Sequence, residues 1–397
     1  MLVQSKRLRS KTHTRATFAR LHPAAAIPIL PAMLFDWPHL PTIPVHDLTD
    51  LPPGAAIPEL ARRERAKLAD LIATGHRTYP AWLLEFGDRR SRRWLERQKS
   101  PLLGELASIA QQVAGAGGPT GGVYMLNLSY EWGCTTGAGL PPEAEVPHML
   151  RTLDWPLGGL GRNLVVANMA SEAGTWLNIT WPGFVGTLTG LAPGRFAAAF
   201  NQPPMRRRLG WLPADWGIER IRIDFSRSLP PAHLLRRTFE TCTDFAAAKK
   251  MLCETPIAMP AFFVLCGVAP GEVAVIERTE NAFFEHPEAV ACAAANHWVA
   301  SAIRGRARSG YSEDRRAAML MELNGGSREF GWLSPPVLND MTRLAAEMEP
   351  ATGRLMLQGF EVDGPATRIL HLTTTENGIA GVRTDAPASA DDRRKRA

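Results

Sequence analysis

The feature that most limits the fold of this chain is a change of sequence pattern near Cys134. Before this cysteine, residues 58–73, 82–97 and 101–114 have the apolar spacing of amphipathic helices. After it, residues 163–278 contain short runs of β-branched or aromatic residues separated by Gly and Pro turns. Helices and hairpin strands in separate blocks indicate an α+β fold, in which helices cover both faces of stacked antiparallel sheets.

The same patterns place the individual elements. Alternating apolar residues in segment 42–56, followed by Pro-Pro-Gly, predict an edge strand and a turn, whereas segment 123–130 fits a buried strand or a buried helix. Further strands are predicted at 163–169, 175–181, 184–189 and 195–200. One long helix is predicted at 232–253. The rest of the chain is predicted as a hairpin at 261–267 and 272–278, an alternation of helix and strand over 315–323 and 336–348, and a hairpin at 354–362 and 367–373.

Composition excludes several classes of protein. With 397 residues, 45% hydrophobic and 21% charged, the chain can bury a large core, and it contains no run of eighteen apolar residues that would span a membrane. The cysteines at positions 134, 242, 253, 266 and 292 form no CxxC pair. We therefore expect neither a disulfide framework nor a structural zinc site, and the sequence predicts no metal and no cofactor.

Basic residues are concentrated at the N-terminus. Residues 1–35 contain six Lys and Arg and no acid, which equals the formal charge of +6 on the whole chain. We interpret residues 1–41 as a disordered basic segment, with a cleaved leader as the alternative, and residues 384–397 as a second disordered tail. Because the rest of the chain is near neutral and has no basic stripe interleaved with aromatics, no nucleic-acid partner is predicted.

Two of the predicted helices are rich in arginine. Segments 58–73 and 82–97 combine an apolar side with several arginines, a pattern that can place a helix on an anionic lipid surface. A solvated face on a helix that packs into the core explains the same pattern. Peripheral membrane contact is therefore one of two interpretations of these helices.

The stretch from Asn127 to Trp155 carries the candidate chemistry. It places Cys134 between a glycine and two threonines, and Arg151 and Asp154 follow. A guanidinium favours a thiolate, and a carboxylate can hold the group that takes its proton, so the three could form a nucleophilic site. A buried cysteine that acts only as a small hydrophobic residue is the alternative.

Several sequence blocks carry a resemblance to a known family. They are NLSYEWGCTT followed by R-x-x-D-W, IPVHDLTDLPP, WPGFVGTLTGLAPGRF ahead of Asn201-Gln202, the segment ETPIAMPAFFVLCGVAPGEVAVIERT, and Asn296-His297-Trp298 followed by Asp314-Arg315-Arg316. In this order and spacing, from about residue 42 to residue 362, the chain resembles acid ceramidase and N-acylethanolamine acid amidase, relatives of the choloylglycine hydrolases.

The resemblance implies the N-terminal nucleophile hydrolase fold, a four-layer αββα sandwich. It also implies that the precursor cuts itself between Gly133 and Cys134, separating a helical segment 42–133 from a catalytic segment 134–383 within one structural domain. The new α-amino group of Cys134 would then relay the thiol's proton. An unperturbed α-amine titrates at about 7.7 to 8.0, so this pair needs no catalytic histidine.

The resemblance also assigns roles to individual residues. Cys134 would be the nucleophile, Arg151 would favour the thiolate and Asp154 would hold the α-amine. Asn296 would donate to the oxyanion, and Gln202 stands where the family has a glutamate, so an acidic pH optimum is not implied. Arg315 matches the family arginine, although six extra residues precede it and Arg316 is the alternative. His148 and His297 are interpreted as packing or rim residues.

The leading functional hypothesis is an amidohydrolase that releases a fatty acid from an N-acyl amide lipid, such as an N-acylethanolamine or a ceramide-like lipid. The first alternative is an acyltransferase of the penicillin acyltransferase type, in which an amine takes the acyl group instead of water. The second is a non-catalytic lipid-binding protein. The expected location is the cytoplasm, with the periplasm or secretion as alternatives, because the leader and disulfides of the lysosomal relatives have no clear counterpart here.

Overall fold

The computed structural model describes residues 39–118, 121–128, 132–286, 290–306 and 310–385. The helices are α1 Ala56–Arg63, α2 Arg65–Thr78, α3 Ala81–Arg97, α4 Leu103–Gly115, α5 Val123–Leu128, α6 Leu212–Phe225, α7 Pro231–Thr241, α8 Phe245–Glu254 and α9 Ser312–Asn324. The strands of the first half are β1 Val45–Asp47, β2 Gly133–Gly139, β3 His148–Asp154, β4 Val165–Ser171, β5 Gly174–Thr180, β6 Thr189–Ala192, β7 Phe196–Asn201 and β8 Met205–Arg206. Those of the second half are β9 Ala261–Cys266, β10 Val273–Arg278, β11 Phe283–Glu285, β12 Ala291–Ala294, β13 Gly305–Arg306, β14 Thr342–Glu349, β15 Arg354–Glu361, β16 Gly364–Pro365, β17 Ile369–Thr375 and β18 Gly378–Asp385.

Most strands belong to two large sheets. The first sheet has the order β1-β4-β5-β6-β7-β9-β10-β11, and the second has the order β12-β2-β3-β14-β15-β17-β18, with β16 paired to β15. Within these sheets neighbouring strands run antiparallel except for β1, which lies parallel to β4 at the sheet edge. A separate pair, β8 with β13, forms a small two-stranded ribbon.

The two sheets stack face to face and carry helices on their outer faces. Helices α7 and α8 pack on the first sheet, and α9 packs on β2 and β12 of the second. Trp176 of β5 stacks on Phe239 of α7 with ring centroids 4.9 Å apart, and Met319 of α9 lies in a buried cluster with Leu150 of β3. The predicted α+β, four-layer αββα sandwich is therefore confirmed.

A glycine allows α9 to approach the second sheet closely. A Cβ atom at Gly137 would lie 2.6 Å from Leu323 and 2.8 Å from Met319, both on α9. Any larger side chain at this position would push the helix away from β2. The small residues of the β2 sequence GCTTGAG thus bring the first turn of α9, with Arg315, close to Cys134.

Two predicted elements need correction. The helix predicted at 232–253 is two helices, α7 and α8, because the Asp244 side chain accepts a hydrogen bond from the Ala247 backbone N–H at 2.8 Å and caps a new helix. Such a cap contributes about 1 kcal/mol. The strand predicted at 184–189 is mostly loop, and β6 begins only at Thr189. Its Val185 N–H donates to the Asn127 side chain rather than to a neighbouring strand.

Other boundaries also differ. Predicted helix 58–73 is split at Glu64 into α1 and α2, and segment 336–348 contributes the strand β14. Helix α6 was not predicted; it exposes most of its apolar side chains and buries only Asp215, so it lacks the one-sided apolar pattern that marks a core helix.

Some predictions fall outside the described residues. These include most of the basic segment 1–41, residues 129–130 of segment 123–130, and most of the tail 384–397. Segment 123–128 is the helix α5. Within the described residues, no helix is both long and apolar enough to cross a bilayer.

Candidate active site

The site is organised by two neighbouring strands of the second sheet. In the β2–β3 ladder Cys134 lies opposite Leu153, and Thr136 lies opposite Arg151. Because side chains alternate along a strand, Cys134 and Arg151 face the first sheet, whereas Asp154 faces the layer of α9. The predicted guanidinium and carboxylate therefore lie on opposite faces of the sheet.

Arg151 lies beside the sulfur of Cys134. Its Nη2 donates to Cys134 Sγ at 3.5 Å and to the Phe200 carbonyl at 3.0 Å, and its Nη1 donates to Thr136 Oγ1 and Asn201 Oδ1 at 2.8 and 2.7 Å. Burial lowers the pKa of Arg151 and raises the pKa of Cys134 to about 11, although the guanidinium opposes the latter shift. In the uncut chain the thiol is therefore neutral at pH 7.

The backbone nitrogen of Cys134 is held by a side chain. Strand β12 ends at Ala294, which lies opposite Thr136, so the N–H of Cys134 lies beyond the end of that strand. The Asn296 side chain takes its place, because its Oδ1 accepts from the Cys134 N–H at 3.0 Å. The Nδ2 of the same Asn296 side chain donates to the backbone carbonyl of Gln202 at 2.7 Å. Asn296 thus fixes the nitrogen that cleavage would release as an amine.

Arg315 joins the remaining predicted residues on the face of the sheet that α9 covers. Its Nη1 donates to the Cys134 carbonyl at 3.0 Å and to Asp154 Oδ2 at 3.1 Å, and its Nη2 donates to Asn296 Oδ1 at 2.8 Å. Asp154 also accepts from Thr342 Oγ1 at 2.9 Å. Burial raises the pKa of Asp154, and the charge of Arg315 opposes this shift.

Gln202 lies where the chain approaches Cys134 from the N-terminal side. Its Oε1 accepts from the Trp132 N–H at 3.2 Å. Trp132, Gly133 and Gln202 line a cavity of about 410 Å³, whereas the Cys134 side chain itself is fully buried and does not line it. In the uncut chain the residues just before Cys134 therefore separate its sulfur from the cavity.

The structure brings all six predicted site residues into one cluster and distinguishes the alternatives. The Arg316 Nε donates to the Ala293 carbonyl, outside the cluster, so geometry favours Arg315 over Arg316. His148 lines a different cavity. His297 Nδ1 lies 2.8 Å from Ser312 Oγ, at the rim of the site. The catalytic roles themselves remain predictions.

In the uncut chain the nitrogen of Cys134 is not held by Asp154. The group that contacts the Cys134 nitrogen is Asn296, whereas Asp154 accepts hydrogen bonds from Arg315, Thr342 and Asn339. Asp154 thus orients Arg315, and Asn296 orients the nitrogen.

Sequence reasoning missed four residues that hold the cluster in place. They are Asn201, Ser312, Asn339 and Thr342. Asn201 was visible in the Asn201-Gln202 block, but the other three come from the start of α9, a loop and β14, and no local pattern marks them. Within the described part of the chain, no group of three His, Cys, Asp or Glu residues could hold a metal ion.

Comparisons with known proteins give the family context. No protein-family model matches the chain. The chain is 27% identical over 252 residues to the N-acylethanolamine-hydrolyzing acid amidase of Cavia porcellus, covering 58% of this chain and 66% of that protein. It is 29% identical over 171 residues to the acid ceramidase of Homo sapiens, covering 41% of this chain and 42% of that protein.

A solved structure of the Caenorhabditis elegans N-acylethanolamine-hydrolyzing acid amidase ortholog is 19% identical, with a TM-score of 0.44, and the match covers 55% of this chain and 93% of that one. The chain spans less than two thirds of the length of the curated relatives it matches. The resemblance inferred from the sequence blocks is confirmed by these sequence matches: the chain is similar to N-acylethanolamine-hydrolyzing acid amidases and acid ceramidases.

Proposed function

We propose that this protein is an amidohydrolase that cleaves N-acyl amide lipids with Cys134 as nucleophile, after it has cut its own chain between Gly133 and Cys134. The observation that carries the proposal is the arrangement around this one residue. Its sulfur contacts Arg151, and its nitrogen is fixed by Asn296. Both groups that the chemistry needs are thus held in place before the chain is cut.

Self-cleavage uses the same sulfur as hydrolysis. Cys134 Sγ attacks the Gly133 carbonyl carbon, the Cys134 nitrogen leaves with a proton, and water then hydrolyses the resulting thioester. The products are a carboxylate at Gly133 and a free amine and thiol on Cys134. Loss of the covalent link lets the preceding residues move away from the cavity they now line, so that substrate can reach the sulfur.

Substrate hydrolysis repeats these steps on an external amide. The α-amine of Cys134 takes the thiol's proton as the sulfur attacks the substrate carbonyl, and it returns the proton to the leaving amine. The same amine then activates water against the thioester. Arg151 stabilises the thiolate, Asn296 orients the α-amine, and Asp154 holds Arg315 against the Cys134 carbonyl.

The cavity beside Gly133 has walls that suit an acyl chain. Apolar side chains make up most of its lining: Leu128, Trp132, Met205, Leu212, Trp216, Ile223, Met259, Met341 and the prolines Pro156, Pro203, Pro204 and Pro260. The names of the two relatives describe hydrolysis of N-acylethanolamines and of ceramide. A linear fatty acyl amide combines the apolar chain and the amide bond that this site is built to receive.

Lipid substrate would be reached from a surface formed by α3 and α6. Trp82 and Phe86 of α3, Trp211 just before α6, and Phe225 of α6 are all at least half exposed, at 68, 50, 67 and 85%. Of these four, Phe86 and Phe225 line the cavity between the two helices, together with Arg89, Arg90, Arg93, Arg97 and Arg227. Exposed aromatics ringed by arginines fit the interface of an anionic bilayer, so we include peripheral membrane contact in the proposal.

Purified wild-type protein and a Cys134→Ala variant test the proposal. Wild type should separate on a denaturing gel into two pieces and release palmitate from N-palmitoylethanolamine or another N-acyl amide, whereas the variant should stay whole and inactive. A wild-type chain that stays whole and binds N-acyl amides without cleaving them would identify a lipid-binding protein. Acyl transfer to an added amine in preference to water would identify an acyltransferase. Either result would contradict the proposal.

A further inference from the structure

The cavity that contains the cleavage point carries an excess of positive side chains. Of the four ionisable side chains on its wall, three are arginines, Arg206, Arg220 and Arg306, and one is Glu219. Gln202 contributes a neutral amide to the same wall. Guanidinium groups clustered in a cleft with apolar walls raise the local concentration of anions. A neutral ligand would form no ionic interaction with these three arginines.

Two of these arginines are each held by a hydrogen bond to a carboxylate. The Nη2 of Arg206 donates to Glu280 Oε2 at 2.9 Å, and the Nη2 of Arg306 donates to Asp215 Oδ2 at 3.2 Å. Because the Arg206 and Glu280 side chains are both 14% exposed, this pair is held within the protein rather than free in solvent. A guanidinium already ordered by one carboxylate loses little conformational freedom when it binds a second anion.

Arg206 also has an unsatisfied donor. Within the described residues, its Nε is buried and has no hydrogen-bond partner. An unmade hydrogen bond from a buried cationic group costs free energy, and the charge of an anion in the nearby cavity would offset part of that cost. Arg206 follows Gln202 by four residues, which limits their separation to roughly 14 Å. Arg206 also lines the same cavity as Gln202 and Gly133, so its charge lies on the wall next to the cleavage point.

We infer that the preferred substrate carries an anionic group on its amine part, as in an N-acyl amino acid or an N-acyl aminosulfonate, rather than the neutral head group of an ethanolamide. A linear fatty acyl chain has no charge, so the anion must belong to the amine. The apolar wall takes the chain, and Arg206, assisted by Arg220 and Arg306, takes the anion. This inference rests on the proposed amidase function.

The test compares amides that share one acyl chain. Initial rates are measured for wild-type protein on N-palmitoylglycine, N-palmitoyltaurine and N-palmitoylethanolamine at pH 7. We expect kcat/KM for at least one of the two anionic amides to exceed that of the ethanolamide tenfold or more, and this preference to shrink as salt screens the arginines. Equal values, or a preference for the ethanolamide, would overturn the inference.

Variants of Arg206 test whether this residue produces the preference for anionic amides. Arg206→Gln should lower kcat/KM for the preferred anionic amide about tenfold more than for the ethanolamide, chiefly through KM, and Arg206→Lys should restore part of the difference. Arg237→Gln is the matched control, because Arg237 is an exposed arginine on α7, away from the cavity. An equal loss on all three substrates would show that Arg206 is only structural and would overturn its assignment.

Failure of the amidase function would be recognised separately. If none of the three amides is hydrolysed, the proposed function fails, and ligand binding then decides the anion preference. Trp132 and Trp216 line the cavity, so quenching of tryptophan fluorescence in the Cys134→Ala variant reports binding. Tighter binding of N-palmitoylglycine or N-palmitoyltaurine than of the ethanolamide supports the preference, and equal or weaker binding of both overturns it.

Discussion

The cluster around Cys134 and the exposed surface formed by α3 and α6, called the rim below, both contain charged side chains, but their environments differ. Arg151, Asp154 and Arg315 are at most 2% exposed and bond to strands of both sheets or to each other. On the rim, Arg90 pairs with Asp224, although 47% and 30% of these side chains are exposed. Burial makes each partner in the cluster indispensable, whereas solvent can replace partners on the rim.

This difference follows from the elements that carry the residues. Strands β2 and β3 lie inside the second sheet, so their side chains have fixed positions. Helix α6 buries only Asp215, and the hydrogen bonds of that residue to Arg208, Leu209 and Arg306 tie it to the rim. We therefore expect changes in the cluster to abolish function or folding, and changes on the rim to adjust binding.

The largest effect is expected for Cys134→Ala. The variant should lose self-cleavage, and its amide hydrolysis should fall by at least about 1,000-fold, because it lacks the nucleophile. Cys253→Ala is the control, since Cys253 is also buried but lies on α8. Gel analysis and product release measure the two outcomes. Loss of activity in both variants would point to general damage rather than to a nucleophile.

Removal of Arg315 should give the largest change in stability. Arg315→Gln leaves Asp154 buried without its cation and should cost about 3 to 5 kcal/mol. Arg316→Gln removes a half-buried donor to the Ala293 carbonyl and should cost about 1 kcal/mol. Urea unfolding in the Cys134→Ala background, in which no cleavage is expected, measures both. A similar loss of unfolding free energy in the two variants would contradict this prediction.

Acid should weaken the buried region through its neutral histidines. Burial lowers the pKa of His233 to about 3, so the folded state resists the proton that the unfolded chain takes up below about pH 6.5. This contribution to stability is complete above pH 6.5 and is lost as the pH falls towards 3. Between pH 6.5 and 4.5 it should cost about 2 to 3 kcal/mol. Unfolding at several pH values should show a smaller acid dependence in His233→Phe, and an unchanged dependence would contradict the assignment.

The smallest effect is expected on the rim. Arg90→Gln breaks the pair with Asp224 that joins α3 to α6, but both side chains are partly exposed. The free energy of unfolding should change by less than about 1 kcal/mol. A loss comparable to that of Arg315→Gln would show that the rim is as tightly coupled to the fold as the cluster. Thermal and urea unfolding of the variant decide between these outcomes.

The sequence predicted the layered fold because strand alternation and Gly-Pro turns are local signals, as in the hairpin of β9 and β10. Residue types and spacing pointed to Cys134, Arg151 and Asp154, whereas Gln202, Asn296 and Arg315 were located only through family resemblance. The sequence did not reveal α6, whose apolar residues face solvent, nor Thr342, which reaches Asp154 from a strand 188 residues away. It also could not show that Asn296 holds the Cys134 nitrogen, because that contact depends on where β12 ends.

The central claim is that Cys134 becomes active only when its own peptide bond is cut. Intact-mass measurement of freshly purified protein over time, with amidase activity assayed in parallel on N-palmitoylethanolamine and N-palmitoylglycine, tests it most directly. Activity should rise in proportion to the fraction of chains whose new N-terminus is Cys134. Full activity from a chain that remains uncut would contradict the claim.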